Sequence, residues 1–353
     1  MKAHRPAVAA LLPAFLLLVA VGLYPDCTSF RLRTPDAVYL CNNLDWYAGD
    51  GMLVVNKRGV SKKGCWFDNK PSWTSRYGSI TINQLGREFP SRGMNEAGLT
   101  IVEMTLNETA FPSPDSRPAL STSQWMQYQL DCHSKVQEVI ASDVKVRIDS
   151  GEWRSHFMVA DRSGACATIE WIGGQMVTHT GRTLPVAVLS NDSYETCLGV
   201  REAGLSYGQS DPSSLARFMR AADAVARYNP DRDGEGTEYA FKVLTSVALS
   251  DLNQWNLVFD LTRLRFSFRT TDNRNTRYVD FRDFDFSPRT VVTTFPIYNQ
   301  LTGDVHAFFA DYDSAANRAM IFSVFDKLKW VQGDPDISVK ETAARYPDTT
   351  KPR

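Results

Sequence analysis

Histidine is scarce in this chain: there are five, at positions 4, 133, 156, 179 and 306. None stands in a recognisable partner motif for a nucleophilic cysteine, which argues against a papain-like Cys–His protease. There is no C-x-x-C pair, so a zinc site is not expected. There is no excess of either charge: 39 basic against 40 acidic residues leave a net charge of −1. A near-neutral chain offers nothing to a polyanion, and nucleic acid is set aside as a partner. Internal repeats and low-complexity tracts are missing. So is any long apolar run after the first two dozen residues, which leaves no other membrane-spanning candidate. What is present, 43% hydrophobic and 22% charged residues, is the composition of an ordinary globular protein. The length suffices for one large α+β domain with a full core.

Residues 1–24 read as a secretory leader. Lys2, His4 and Arg5 make a basic start, the apolar run Ala7 to Tyr24 follows, and Ala20-Val21-Gly22 offers small residues to a peptidase. A cut there leaves a short stub that ends at Asp26, and its removal makes Cys27 the first residue of the finished chain. Residues 1–26 are therefore read as signal peptide plus short propeptide, with the product periplasmic or secreted and without a stable membrane anchor. An N-terminal cysteine carries a thiol and a free α-amino group on one residue. That amine has a pKa of ~7.7–8, so much of it is neutral near pH 7 and can act as base.

The six cysteines stand at 27, 41, 65, 132, 166 and 197. An exported protein can form disulfides, and Cys41 with Cys65 is the nearest pair. With Cys27 set aside the remainder is odd, so at least one further thiol is free or pairs between chains.

The first half of the chain is strand-rich. Phe30–Arg33 and Ala37–Leu40 flank a Thr-Pro-Asp turn, and Met52–Asn56, Gly78–Ile82 and Thr100–Met104 follow. Ser121-x-x-Gln124 predicts a capped helix carrying Trp125, Tyr128 and Cys132. Strands return at His156–Ala160, Cys166–Trp171, Met176–Thr180 and Val186–Leu189. Asp211-Pro212 predicts a helix start, with Leu215, Phe218, Met219, Ala222 and Val225 as its apolar stripe. A second helix carries Phe241, Leu244 and Val247. Three antiparallel strands follow at Trp255–Leu261, Leu264–Arg269 and Thr276–Asp280, then a late helix over Ala315–Leu328. The tail 334–353 reads as mobile. Strands, helices and strands again, without regular alternation, predict antiparallel sheets covered by helices.

Four ordered blocks now stand out: Cys27-Thr28-Ser29-Phe30 with Asn43-Leu44-Asp45-Trp46; Gly93-Met94-Asn95-Glu96-Ala97-Gly98-Leu99; Val188-Leu189-Ser190-Asn191; and Ala216-Arg217-Phe218-Met219-Arg220. In this order they resemble the choloylglycine hydrolases, a family that includes bile salt hydrolases, penicillin V acylases and other linear-amide hydrolases. The resemblance spans 27–333 and implies a four-layer αββα sandwich of the N-terminal-nucleophile hydrolases. It implies Cys27 as nucleophile, with Asp45 bound to its amine and thiol. Asn191 and the backbone N–H of Thr105 would hold the oxyanion, and Arg217 would favour the thiolate. Each position also has a plainer reading: a buried cysteine, a turn aspartate, a strand-end asparagine, a helix-surface arginine. Bile salt hydrolases carry an arginine where this chain has Asn42, which takes a charge from the site. The implied reaction is hydrolysis of a small-molecule acyl amide through a thioester with no cofactor, in a possible homo-tetramer. The alternative is a binding protein of the same fold that has lost catalysis, for which Asn42 is the best support.

Overall fold

The computed structural model describes residues 26–149 and 153–352. The leader reading therefore lies outside the described residues, apart from Asp26. Two large sheets dominate. The first has seven strands, in the spatial order 188–189, 29–33, 38–45, 253–260, 265–270, 273–280 and 303–304. The second has nine, in the order 175–180, 166–172, 155–160, 100–105, 90–95, 79–83, 52–56, 293–296 and 310–311. Apart from the short 273–280 with 303–304 pairing, both are antiparallel.

Why the sheets stack is legible in the period of two. Side chains alternate between faces along a strand. Val102, Met104, Met94 and Met158 of the nine-stranded sheet pack with Leu40, Leu257 and Phe268 of the seven-stranded one between the sheets. Their neighbours Ile101, Phe157 and Val159 turn the other way and meet Trp125, Met126 and Leu130 of the helix Thr122–Cys132 in a second core. The helices Ser214–Arg227 and Gly236–Val247 pack on the opposite side, against the strands 29–33, 38–45 and 253–260. The layers run helix, sheet, sheet, helix. The fold is the αββα sandwich of the N-terminal-nucleophile hydrolases.

Two glycines of the second block have separate tasks. Gly98, at φ +88°, closes the tight turn between the strands 90–95 and 100–105. A Cβ on Gly93 would stand 2.7 Å from Thr81 Cγ2 and 3.0 Å from Leu130 Cδ1. Its absence lets the helix Thr122–Cys132 settle on the sheet.

Four expectations are corrected. The tail 334–353 is not a loose end. Residues Ile337–Arg345 form a helix, Ala343, Ala344 and Tyr346 are buried against Phe89 and Ile321, and Lys351-Pro352 pairs with the strand 60–63. The Asp211-Pro212 helix start is displaced, because Ser213 caps the helix and accepts from the Ala216 N–H. The Ser121–Gln124 box is half made: Ser121 accepts from Gln124 N–H, while the Gln124 side chain accepts instead from Cys65 N–H at 2.9 Å. All six cysteines are free, so Cys41 and Cys65 are not paired.

Candidate active site

The site forms where the first two strands of the seven-stranded sheet meet the nine-stranded sheet and the helix Ser214–Arg227. Cys27 precedes the strand Ser29–Arg33 and is 1% exposed. Its sulfur looks into a cavity of about 40 Å³ lined by Leu44, Trp46, Gln84, Arg92, Glu103, Met104, Thr105, Trp153 and Ser155. No histidine lines it. His156, the nearest in sequence to that wall, is spent elsewhere: its ring nitrogens meet Glu170 Oε1 at 3.0 Å and the Ser190 carbonyl at 2.8 Å. It braces the strand end that carries Asn191.

The predicted residues converge from distant parts of the chain. Asn191 Oδ1 accepts from the Cys27 backbone N–H at 2.8 Å, and its Nδ2 donates to the Thr105 carbonyl at 2.9 Å. The second bond fixes which end of the amide faces which neighbour. Arg217 is fully buried rather than on the helix surface. Its guanidinium donates to the Cys27 carbonyl and Thr28 Oγ1, both at 2.8 Å, to Asn191 Oδ1 at 3.0 Å and to Asp26 Oδ1 at 2.9 Å. One planar fork thus grips the residues on both sides of the Asp26–Cys27 bond.

Asp45 sits at the end of the strand Val38–Asp45 and is fully buried. Its carboxylate is turned from Cys27 toward three donors. Asn43 Nδ2 (2.9 Å) and the Leu249 N–H (3.1 Å) meet Oδ2, and Asn253 Nδ2 (2.8 Å) meets Oδ1. Asp45 reaches Cys27 through its backbone instead: its N–H bonds the sulfur, and its carbonyl accepts from Asp26 N–H at 3.0 Å. Burial pushes the Asp45 carboxyl up to about 7, against the pull of Asn253, Arg217 and Leu249. Burial likewise pushes the Cys27 thiol up to about 11. At pH 7 that leaves ~1 thiol in 10⁴ ionised.

Sequence reasoning missed Arg92, Glu103 and Asn253. Arg92 lies on the strand Pro90–Asn95 two residues before Met94, so it shares the face that looks between the sheets. The alternation Arg92-x-Met94 held that signal, but one arginine in a strand does not announce its side. Glu103 accepts from Ser155 Oγ at 2.5 Å and Trp153 Nε1 at 3.1 Å, and Thr122 also bonds it. Burial pushes its carboxyl up.

A much larger cavity, about 420 Å³, adjoins this one. Trp66, Leu85, Phe89, Trp153, Phe325 and Val339 are apolar parts of its wall. Trp153 lines both spaces, and the Glu103–Thr122 contact joins their walls.

The sequence profile of the linear amide C–N hydrolases, choloylglycine hydrolase family, matches residues 27–198. Penicillin V acylase of Pectobacterium atrosepticum is 25% identical over 338 residues, covering 82% of this chain and 89% of that protein. The structure of penicillin V acylase from Agrobacterium tumefaciens superposes with a TM-score of 0.71 at 25% identity, over 81% of this chain and 98% of that one. A mutant of conjugated bile acid hydrolase from Clostridium perfringens gives a TM-score of 0.64 at 17% identity, over 79% and 98%. At that identity the likeness speaks for the fold.

Proposed function

We propose that the chain is a linear amide C–N hydrolase of the choloylglycine hydrolase family, exported, whose Cys27 becomes N-terminal and cleaves an acyl amide through a thioester. The observation that carries this reading is the state of Cys27 in the uncut chain. Its thiol is buried and high in pKa, and no histidine among the described residues lines its cavity to serve as base. Breaking the Asp26–Cys27 bond creates a base on the same residue. The family match begins at Cys27, which agrees. Export to the periplasm or beyond rests on the basic start and apolar run of residues 1–24.

The proposed steps are these. The neutral α-amine takes the thiol proton and becomes an ammonium. The sulfur attacks the amide carbon, and charge moves to the carbonyl oxygen. We assign Asn191 Nδ2 and the Thr105 N–H to that oxyanion. A donor of this kind is worth ~2.7–4 kcal/mol in other hydrolases. Collapse breaks the C–N bond, the ammonium gives its proton to the leaving amine, and the acyl group stays on sulfur as a thioester. Water, its proton taken by the amine, then releases the acid and restores the thiol. Arg217 holds the Cys27 carbonyl throughout, so the sulfur does not swing away.

The acyl group is assigned to the adjoining apolar cavity, whose size falls in the ~300–1,000 Å³ range of small-molecule sites. This favours substrates with an extended apolar or aromatic acyl part. The test is a panel of acyl p-nitroanilides with wild type and Cys27→Ala, together with the mass of the active enzyme's N-terminus. Turnover lost in Cys27→Ala and a first residue of Cys27 are expected. Ligand binding without turnover would instead favour a binding protein. Full activity from enzyme that still carries Asp26 would end the proposal.

A further inference from the structure

Among the described residues Arg92 is a buried cation that makes no direct ion pair; the Glu103 carboxyl feels its charge but spends its own oxygens on other donors. It is 2% exposed. Its Nε donates to Asn42 Oδ1, Nη1 to Ser91 Oγ at 2.9 Å, and Nη2 to the Glu103 carbonyl at 3.4 Å and to Cys27 Sγ at 3.5 Å. All four acceptors are neutral in the resting chain. A buried guanidinium is ordinarily paired with an anion, because taking an unbalanced charge out of water is expensive. Here the group that can become that anion is the sulfur at the end of Nη2.

Asn42 fixes the aim. Its Oδ1 receives Arg92 Nε, and its Nδ2 donates to Ser29 Oγ at 2.8 Å and more weakly to the Thr28 carbonyl at 3.4 Å. The amide is thus held by the residues that follow Cys27, and it ties the guanidinium to the strand the nucleophile sits on. The face of Trp255 lies 5.9 Å from the guanidinium carbon and closes the other side.

We propose that Arg92 is a catalytic residue: the cation that receives the Cys27 thiolate, with Asn42 as the positioning residue that aims it. This rests on Cys27 being the nucleophile. The other charged groups near the sulfur are Asp45 and Glu103 on the negative side and, on the positive, Arg217 and the Cys27 α-ammonium of the cut chain; Asp26 is present only before the cut. Asp26 is paired to Arg217 and Asp45 is occupied by three donors. Glu103 spends its carboxylate on Ser155, Trp153 and Thr122. Arg217 spends its donors on the Cys27 carbonyl, Thr28 Oγ1 and Asn191 Oδ1. Among the influences that oppose burial of the thiol, the Arg92 charge is the largest. Among the described residues, Arg92 alone of the charged side chains presents a hydrogen-bond donor to the sulfur.

The experiment is alkylation of Cys27 in the active enzyme by iodoacetate and by iodoacetamide, across pH, in wild type, Arg92→Met, Arg92→Lys and Asn42→Leu. A cation at the sulfur draws the anionic reagent and favours the thiolate. Arg92→Met is therefore expected to lower the iodoacetate-to-iodoacetamide rate ratio at least fivefold and move the alkylation profile to higher pH. Its kcat should fall more than KM changes. Arg92→Lys should recover part of both, and Asn42→Leu should shift both in the Met direction by less. If Arg92→Met fails to fold, the Lys and Leu variants carry the test. An unchanged reagent ratio and profile in folded Arg92→Met, or in Asn42→Leu when the former does not fold, overturns the assignment. If Cys27→Ala keeps full turnover, the nucleophile reading fails first. If Cys27→Ala is dead while the ratio is unmoved, Arg92 alone is refuted.

Discussion

Replacing Asn253 by leucine should move the acid limb of activity upward without touching the reacting atoms. Asn253 is buried, and its Nδ2 donates to Asp45 Oδ1 at 2.8 Å. The Asp45 carboxyl is held at about 7 by burial, which raises it, against donors that favour the charged form. A hydrogen bond to a charged group is worth ~1.5–3 kcal/mol. At ~1.4 kcal/mol per unit, losing one raises the carboxyl by about one to two units. The sign is fixed, because a donor to a carboxylate stabilises the ionised state and its removal favours the protonated one. A carboxyl at about 7 would be about half ionised at pH 7, and one raised by one to two units about a tenth or less.

If the Asp45 carboxylate is what holds the strand end and its N–H against the Cys27 sulfur, kcat/KM at pH 7 should fall about fivefold or more. Well above pH 9 the two enzymes should converge. The assay is kcat/KM for one acyl p-nitroanilide from pH 5 to 10, with thermal melts alongside. The α-amine adds its own acid limb near its pKa, and that limb should stay in place. A profile lowered equally at every pH, or one that superposes on wild type, would refute the link between Asp45 ionisation and turnover.

Two other perturbations separate stability from specificity. Lys62 is buried between Glu88 and Asp131, with Trp73 Nε1 also donating to Asp131 at 2.7 Å. Lys62→Met strands two carboxylates in the core, and a loss of ~3–5 kcal/mol is expected in urea unfolding, since breaking a buried pair leaves an uncompensated charge; a change below 1 kcal/mol in that measurement would mean the cluster is neutral as built. Val339→Trp fills the apolar cavity from its half-exposed rim. Across an acyl-length series it should cut kcat/KM for long acyl groups about tenfold or more and leave acetyl and butyryl anilides unchanged, each buried methylene being worth ~0.8 kcal/mol. A uniform loss across the series would place the acyl group elsewhere.

How much of this was legible in the sequence depends on how local the cause is. The strands at 52–56, 100–105 and 155–160 were readable because a short apolar run is written in neighbouring residues. The four motif blocks kept their order, so Cys27, Asp45, Thr105, Asn191 and Arg217 could be named before their meeting was visible. The helix 337–345 was not readable. Its buried residues are Lys340, Ala343 and Ala344, a stripe too small and too polar to signal burial, and it is seated by Phe89 and Ile321 from elsewhere in the chain. The Asp45 reading had the residue but not its wiring, because Asn253 and Leu249 lie more than 200 positions away.

Asn42 shows the same limit at the site itself. Read along the chain, an asparagine there is a charge removed beside the nucleophile, and a point in favour of a silent binding protein. Read across the sheets, the strand 90–95 delivers Arg92 onto that same amide and on to the sulfur. The charge at the site is set by which face a strand residue takes fifty positions later. What position 42 contributes is an acceptor for a guanidinium, and an arginine there would meet Arg92 head on. The loss inferred from position 42 and the gain supplied by Arg92 are therefore one arrangement. A single substitution to Arg at 42 should weaken the enzyme unless Arg92 is exchanged with it.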